Sequence, residues 1–263
     1  MRRIYLFAAL GILLVPLLAS AQSPFDGTWK VNMSKVDWPK KPDVYVLQNG
    51  MYQCKTCVPP IEIKADGEQQ KVSGHPYLDS MAIKVISDHE VEETDMKNGK
   101  VVGTSKTMIS PDGNTMTVDW TSVSEANGAT SNGKSEATRV AKGPAGSSAV
   151  SGSWRMKSVA DISSNAITWT YKVDNDELTM TNPTGQSYTA KMDGPEAPMK
   201  GDPGITTVSV KKLGKSTIEE TDKREGKVIG VMKFTVEPDG KTANVLYEDK
   251  LHGTTTKFTA TKE

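Results

Sequence analysis

The chain has 263 residues, and its 32 Lys and Arg side chains are balanced by 32 Asp and Glu side chains, so its formal net charge at pH 7 is zero. This balance excludes a general electrostatic attraction to nucleic acid or to anionic lipid. Two cysteines are too few for a fold that is built on disulfides, and aromatic residues make up 6% of the chain. Each core must therefore be small and filled largely by Val, Ile, Met and Thr.

The N-terminus has the pattern of a secretory signal peptide. Two arginines precede an apolar run, residues 4–18, and residues 19–21 read Ala-Ser-Ala. This pattern predicts a signal peptide over residues 1–21 with cleavage after Ala21, and an uncleaved anchor is the alternative. The run is short for a membrane span, and no later stretch is apolar enough to cross a bilayer. We therefore expect a secreted or periplasmic protein with no integral membrane segment after cleavage.

The rest of the chain reads as short strands joined by turns. Residues 27–29, Gly-Thr-Trp, open the first strand-like segment. Two more segments, residues 44–48 and 51–56, flank an Asn-Gly pair, which supplies the two positive φ angles of a type I′ hairpin turn. A polar loop at residues 66–76 is longer than a hairpin needs, which makes it a candidate functional loop. Alternating apolar and polar residues then predict a regular meander.

The second half repeats this order. Residues 92–95 read Glu-Glu-Thr-Asp and recur at residues 219–222, at an offset of 219 − 92 = 127. The polar loop recurs at residues 193–203 with the same offset, and the period is too long for a solenoid repeat. We therefore expect a duplicated domain. The predicted division is a signal peptide at residues 1–21, a first repeat at 22–142, a flexible linker at 143–150 and a second repeat at 151–263.

These patterns predict an all-β fold. Each repeat contains about nine short strands joined mainly by hairpins, with no convincing helix. A meander of that length must close into a barrel or pack as two sheets, because an open sheet would leave its edges and one apolar face uncovered. We expect two tandem antiparallel meander barrels, and two β-sandwich domains are the alternative.

The ends of each repeat resemble a known family signature. Gly-Thr-Trp-Lys at residues 27–30, with Thr-Arg at 138–139 near the end of the repeat, is similar to the signature of the lipocalins and fatty-acid-binding proteins, the calycins. In that family, the tryptophan packs beneath a basic residue of the last strand and closes the base of the barrel. The resemblance implies that Trp29 pairs with Arg139 and that Trp154 pairs with Lys262, where lysine replaces the usual arginine.

The resemblance covers the ends of each repeat and not the whole motif set. The lipocalin Thr-Asp-Tyr motif is not evident. The chain as a whole also resembles duplicated, lipocalin-like secreted proteins of bacteria. That resemblance implies a fold and carries no activity with it.

Cys54 and Cys57 are the most conspicuous chemical feature, and they occur in the first repeat alone. A redox role needs a helix N-terminus to lower the pKa of the first thiol, whereas this motif follows a strand. A zinc site needs two further ligands that no second cysteine pair or close histidine pair supplies. A structural disulfide is the favoured interpretation, and it requires a turn at Lys55 and Thr56 because its two Cα atoms must be within about 7 Å of each other.

The repeated acidic residues allow a paired-carboxylate interpretation. Strand alternation places Glu93 and Asp95 on one face and Glu92 on the other, and the same holds for Glu220 and Asp222. Since charged residues usually lie outside, we favour a solvated strand. No nucleophile, phosphate-binding loop or metal-ligand motif accompanies these acids in both repeats, so no catalytic residue, cofactor or metal site is assigned.

A non-catalytic protein that binds a small hydrophobic ligand is the leading functional expectation. The alternative is an envelope structural or protein-interaction module that acts through the polar loops around His75 and Asp202. Nothing in the sequence identifies a protein partner, and an enzyme acting through the repeated carboxylates is the third hypothesis. Large side chains on the predicted strands would line the ligand cavity. They are Trp120, Trp169, Met232, Phe234 and Tyr247.

Overall fold

The computed structural model describes residues 23–263, and the expected signal peptide lies outside this range. In the described range the chain forms twenty strands and two short 3-10 helices, Met33–Lys35 and Ser164–Ala166, with no α-helix. No helix in this part of the chain is long and apolar enough to cross a membrane. The strands are β1 (Gly27–Val31), β2 (Asp43–Gln48), β3 (Met51–Cys54), β4 (Ile61–Lys64), β5 (Gln70–Lys71), β6 (Ser80–Ser87), β7 (Glu90–Lys97), β8 (Lys100–Ile109), β9 (Thr115–Val123), β10 (Thr130–Lys142), β11 (Gly152–Ala160), β12 (Thr168–Asp174), β13 (Glu177–Thr181), β14 (Ser187–Lys191), β15 (Ala197–Pro198), β16 (Thr207–Lys212), β17 (Thr217–Arg224), β18 (Lys227–Val236), β19 (Thr242–Asp249) and β20 (Thr254–Lys262).

The strands form two ten-stranded antiparallel sheets, each curled into a nearly closed barrel, so the predicted fold class is confirmed. The first barrel has the strand order β4-β3-β2-β11-β10-β9-β8-β7-β6-β5. The second barrel has the order β14-β13-β12-β1-β20-β19-β18-β17-β16-β15. Each barrel includes a strand of two residues, β5 or β15, in the region of the long polar loop, where the sequence shows no alternation.

The two barrels are nested in the chain. β11 lies between β2 and β10 and completes the first barrel, which is therefore contiguous from β2 to β11. β1 lies between β12 and β20 and completes the second barrel, although the whole first barrel separates it from its partners in sequence. The first strand of each repeat thus belongs to the barrel formed by the rest of the other repeat.

This exchange corrects the expected pairing of tryptophans with basic residues. The Arg139 guanidinium lies 4.0 Å from the ring centroid of Trp154, and the Lys262 Nζ lies 4.8 Å from the ring centroid of Trp29. The family resemblance implied the opposite pairs, Trp29 with Arg139 and Trp154 with Lys262. The pairing changes because the strand that carries each tryptophan lies beside the last strand of the other repeat.

Both indoles are buried at the base of their barrels. Trp29 is 0% exposed and its Nε1 donates to the Phe25 carbonyl at 2.8 Å, while Trp154 is 1% exposed and donates to the Val150 carbonyl at 2.9 Å. These bonds satisfy the polar atom of each indole, so both rings can be buried completely.

Local turn chemistry follows the sequence closely in the first barrel. Asn49 and Gly50, between β2 and β3, have φ angles of 52° and 71°, as a type I′ turn requires. After β3, Cys54 and Cys57 form a disulfide with their Cα atoms 5.5 Å apart. The backbone bends at the two residues between them, and the backbone N–H of Cys57 donates to the Cys54 sulfur at 3.1 Å.

The two long polar loops meet where the barrels contact each other. The Tyr77 hydroxyl, at the end of the first loop, donates to the Asp202 Oδ1 at 2.9 Å. Nearby, the Ser124 hydroxyl donates to the Thr184 carbonyl, and the Asn127 side-chain amide donates to the Pro183 carbonyl at 3.0 Å. These bonds place loops of the second barrel beside the mouth of the first.

Candidate ligand-binding site

The inward positions of the two barrels can be compared directly through the 127-residue offset. Ser105 in β8 corresponds to Met232 in β18 because 232 − 105 = 127, and Thr107 corresponds to Phe234 because 234 − 107 = 127. Strand register supports this alignment: Glu93 pairs with Ser105, and Glu220 pairs with Met232. Two bulky apolar side chains of the second barrel are therefore replaced by small hydroxyl side chains in the first.

The interior of the second barrel is filled by its own aromatic residues. Phe234 is 0% exposed, and its ring centroid lies 5.0 Å from that of Trp29 and 5.4 Å from that of Tyr171, both in edge-to-face geometry. Trp169 adds a further edge-to-face contact with Phe234 at 6.1 Å. Such contacts fill the centre of the barrel as a close-packed core.

The interior of the first barrel contains a cavity of about 210 Å³ in the place of that core. Thr107 and Ser105 line it, together with Tyr45, the counterpart of Tyr171 in strand register. The counterpart of Trp169 is Asp43, which is exposed and fills none of this space. The cavity lies where Phe234, Met232 and Trp169 have smaller or exposed counterparts in the first barrel, although Met116, the counterpart of Ala243, is a larger side chain that also lines it.

A wider pocket of about 530 Å³ lies at the mouth of the first barrel. Trp120 and Tyr77 contribute aromatic walls, and Gly201 and Pro203 of the second barrel form part of the rim. Glu93 and Ser105 line both this pocket and the inner cavity, so they lie where the two spaces meet. A ligand would pass these side chains to reach the interior.

The paired carboxyl groups point into the barrels, which corrects the expectation of a solvated strand. Glu220 and Asp222 are 7% and 5% exposed, and Glu93 and Asp95 are partly buried and line the mouth of the first barrel. Alternation had placed each pair on one face correctly, but that face is the inner one. Val91 and Ile218, two residues before each glutamate, are buried on it as well.

Burial raises the pKa of all four carboxyl groups, so that Glu93 and Glu220 are largely protonated at neutral pH while Asp95 and Asp222 retain most of their negative charge. In the first barrel, burial and the neighbouring Asp95 charge raise the pKa of Glu93 to about 8, and burial raises the pKa of Asp95 to about 6. In the second barrel, burial and the Asp222 charge raise the pKa of Glu220 well above its ordinary range. The Tyr188 hydroxyl donates to Glu220 there, whereas the position of Tyr188 in the first barrel is occupied by Ile61.

Two tyrosines lie on the inner wall of the first barrel near Glu93. The rings of Tyr45 and Tyr52 are stacked, with centroids 6.3 Å apart and an interplanar angle of 17°. Burial, followed by the charge of Glu93, raises the pKa of the Tyr52 phenol well above 10, so the phenol remains neutral. The cavity therefore combines aromatic faces with neutral hydroxyl groups.

The five predicted ligand-binding residues do not come together. Trp120 lines the mouth of the first barrel, while Trp169, Met232 and Phe234 belong to or pack against the core of the second. Tyr247 lies in a different cleft of about 310 Å³, which also contains Trp38 and His252. These residues were predicted because their side chains are large, but large side chains usually fill the interior of a small barrel and leave no cavity.

Sequence reasoning missed the residues that surround the cavity. They are Tyr45, Tyr52, Glu93, Asp95, Ser105 and Thr107. The signal that could have found them is the loss of bulk between repeats at the inward positions of one strand, namely Phe to Thr and Met to Ser. Val91 lies two residues before Glu93 on the same strand and therefore on the same face, so this apolar residue also indicated that the acidic face is the inner one.

The described residues form no cluster of three or more His, Cys, Asp or Glu side chains that could hold a metal ion. The site described above is a cavity with aromatic, hydroxyl and carboxyl groups. Comparisons of the chain with family models, with curated proteins and with solved structures found no match.

Proposed function

We propose that this protein is a secreted, non-catalytic, lipocalin-like binding protein, and that its first barrel holds a small amphipathic molecule. Support for a lipocalin-like fold comes from the two nearly closed barrels, each with a Gly-x-Trp strand beneath a basic side chain. Support for secretion comes from the signal-peptide pattern of residues 1–21.

The observation that carries the proposal is the replacement of Phe234 by Thr107 at equivalent positions. Phe234 closes the interior of the second barrel, whereas Thr107 lines a cavity of about 210 Å³ in the first. This cavity continues past Glu93 into the mouth pocket of about 530 Å³. Together, the cavity and the pocket have the volume typical of small-molecule sites. The interior of the second barrel is filled by its own side chains, so this barrel contributes only loop residues at the rim of the mouth pocket.

Titration with the neutral, environment-sensitive dye Nile red tests this function. We expect saturable binding to the mature full-length chain, with a rise in emission as the dye leaves water. Thr107→Phe should abolish that binding because it restores the ring that closes the second barrel. Met108→Phe is the matched control, since Met108 is the next residue on β8 and lines neither cavity.

Two results would contradict the proposal. The first is the absence of saturable binding to the wild-type chain, and the second is unchanged binding by Thr107→Phe. Either would favour the alternative of an interaction module acting through the long polar loops. That alternative has less support, because Tyr77 and Asp202 already bind each other at the contact between the barrels.

A further inference from the structure

We propose that the ligand of the first barrel carries a cationic head group, such as an amine, which lies at the Glu93–Asp95 pair while its apolar part occupies the inner cavity. This inference rests on the binding function proposed above and specifies the chemical class of the ligand. It excludes fatty acids and other apolar carboxylates, which would otherwise be the first candidates for a barrel of this kind.

The charge of the site is the first argument. Among the described residues, neither the mouth pocket nor the inner cavity is lined by a Lys, Arg or His side chain. Three carboxyl groups line the mouth, those of Glu93, Asp95 and Glu125. An anionic head group would find no counter-charge there and would add repulsion, whereas a cation would pair with carboxylates in a partly desolvated site.

An unpaired oxygen atom is the second argument. The Oδ1 of Asp95 is buried from water and receives no N–H or hydroxyl donor of the described chain, while the Asp95 carboxyl group is hydrogen-bonded to that of Glu93. A buried acceptor without a donor is costly, so a ligand that brings N–H groups gains by supplying one. Gly103, the strand partner of Asp95, carries no side chain that would cover this carboxyl group, and both residues line the mouth pocket.

The second barrel shows the same pair in a closed form. Asp222 also has an oxygen without a donor, and its strand partner is Gly230. There, however, the Tyr247 hydroxyl lies so close to Gly230 that a Cβ on this glycine would come within 2.4 Å of it. Trp120, the counterpart of Tyr247, turns the other way and lies against Gly133 of β10, where a Cβ would be 2.6 Å from its ring.

A difference on the neighbouring strand accounts for these two orientations. Trp120 faces Gly133 across β9 and β10, while Tyr247 faces Thr256 across β19 and β20. Because Gly133 has no side chain, the Trp120 indole can lie against β10. The side chain of Thr256 occupies the corresponding space beside Tyr247. The approach to Asp95 is consequently open in the first barrel.

Aromatic groups at the mouth provide the third argument. The Trp120 Nε1 donates to the Ser135 hydroxyl at 3.2 Å, which fixes the indole beside the pocket. Indole and phenol faces attract cations, most strongly when the site excludes water. Beyond Glu93, the apolar side chains of Val91, Val118 and Val150 line the inner cavity and suit an alkyl or aromatic body.

The test compares three compounds that share a ten-carbon chain and differ in the head group: decylamine, decanoic acid and 1-decanol. Calorimetry on the mature full-length chain at neutral pH, below the micellar range, measures each affinity. We expect decylamine to bind at least about tenfold more tightly than decanoic acid, with the neutral alcohol between them. Glu93→Gln combined with Asp95→Asn should remove this preference, so that decylamine and decanoic acid bind with similar affinities.

The matched control is the same double substitution in the second barrel, Glu220→Gln with Asp222→Asn, which should leave the preference for the amine intact. If the acid or the alcohol binds as tightly as the amine, the head-group inference is wrong and the binding function stands. If Nile red and all three decyl compounds fail to bind, the binding function fails and the inference fails with it. The wild-type comparison decides between these outcomes even if a double variant does not fold.

Discussion

The Lys262 ammonium lies 4.8 Å from the centroid of the Trp29 indole, although 262 − 29 = 233 positions separate the two residues. The contact exists because β1 is built into the second barrel between β12 and β20. The second barrel therefore requires both ends of the described chain. The first barrel, in contrast, takes all its strands from one continuous segment, β2 to β11.

The nested order predicts which fragments fold. A fragment of residues 38–161 contains every strand of the first barrel. We therefore expect it to unfold in denaturant in a single cooperative transition, which tryptophan fluorescence measures. A fragment of residues 22–142, the first repeat as a linear unit, must use the five-residue β1 in the position of the nine-residue β11. It should unfold at lower denaturant, and an equal or higher midpoint would argue against the nested arrangement.

The two basic side chains over the indoles should differ in their contribution to stability. Arg139 donates to the Ser151 and Ala149 carbonyls at 2.6 Å each, in addition to covering Trp154, whereas the Lys262 Nζ donates to the Pro24 carbonyl at 3.1 Å. We expect Arg139→Ala to lower the free energy of unfolding by about 2–4 kcal/mol and Lys262→Ala by about 1 kcal/mol.

Arg155→Ala is the control for these two substitutions. Arg155 is next to Trp154 in sequence but exposed, so its loss should change the free energy of unfolding by less than about 0.5 kcal/mol. Urea unfolding of the three variants measures all of these values. Equal losses for Arg139→Ala and Arg155→Ala would show that the contacts of Arg139 with the backbone and the indole carry no special stability.

Local structure was predictable from sequence to the extent that local chemistry determines it. Asn49 and Gly50 adopt the expected positive φ angles because few other residue pairs do so at low cost. The meander followed from period-two alternation along β16 to β19. Barrel membership could not be predicted in this way, because both repeats begin with a Gly-x-Trp strand and end with a basic residue. Either strand can pair with either end on local grounds.

The site was less predictable than the fold. Alternation shows that Glu93 and Asp95 share a face, but the general preference of carboxylates for water suggested the outer one. The structure buries that face and raises both pKa values, which lowers the charge that must be desolvated. The cavity results from smaller side chains at inward positions. The sequence shows this difference only when Thr107 is compared with its counterpart Phe234.

The buried acids make stability depend on pH with a definite sign. The folded pKa of Glu93, about 8, lies above its ordinary value of 4.5, and that of Asp222, about 6, lies above 3.8. Between the unfolded and folded pKa values, the folded state therefore binds more protons than the unfolded state. The buried acids thus contribute stability that is fully present below pH about 4 and is lost as the pH rises towards about 8. Urea midpoints should fall between pH 5 and about 8 for this reason.

Replacing all four inward acids should flatten that dependence. The variant combines Glu93→Gln and Asp95→Asn with Glu220→Gln and Asp222→Asn. The control, Glu92→Gln with Glu219→Gln, removes the neighbouring acids, of which Glu92 forms an exposed ion pair with Lys84 at 3.7 Å. A wild-type midpoint that rises from pH 5 to about 8, or a four-residue variant with an unchanged slope, would contradict the burial of these groups in protonated form.

Exchanging Phe and Thr between equivalent positions should have opposite effects in the two barrels. Phe234→Thr removes a ring that contacts Trp29 and Tyr171, and we expect it to lower the free energy of unfolding by about 3–5 kcal/mol. Thr107→Phe places a ring in an existing cavity of about 210 Å³, so the stability of the first barrel should be unchanged or higher. Thermal unfolding of both variants, with Met108→Phe as the surface control, measures the difference. If Thr107→Phe were as destabilising as Phe234→Thr, the interior of the first barrel would have no free space, and the basis for ligand binding would be lost.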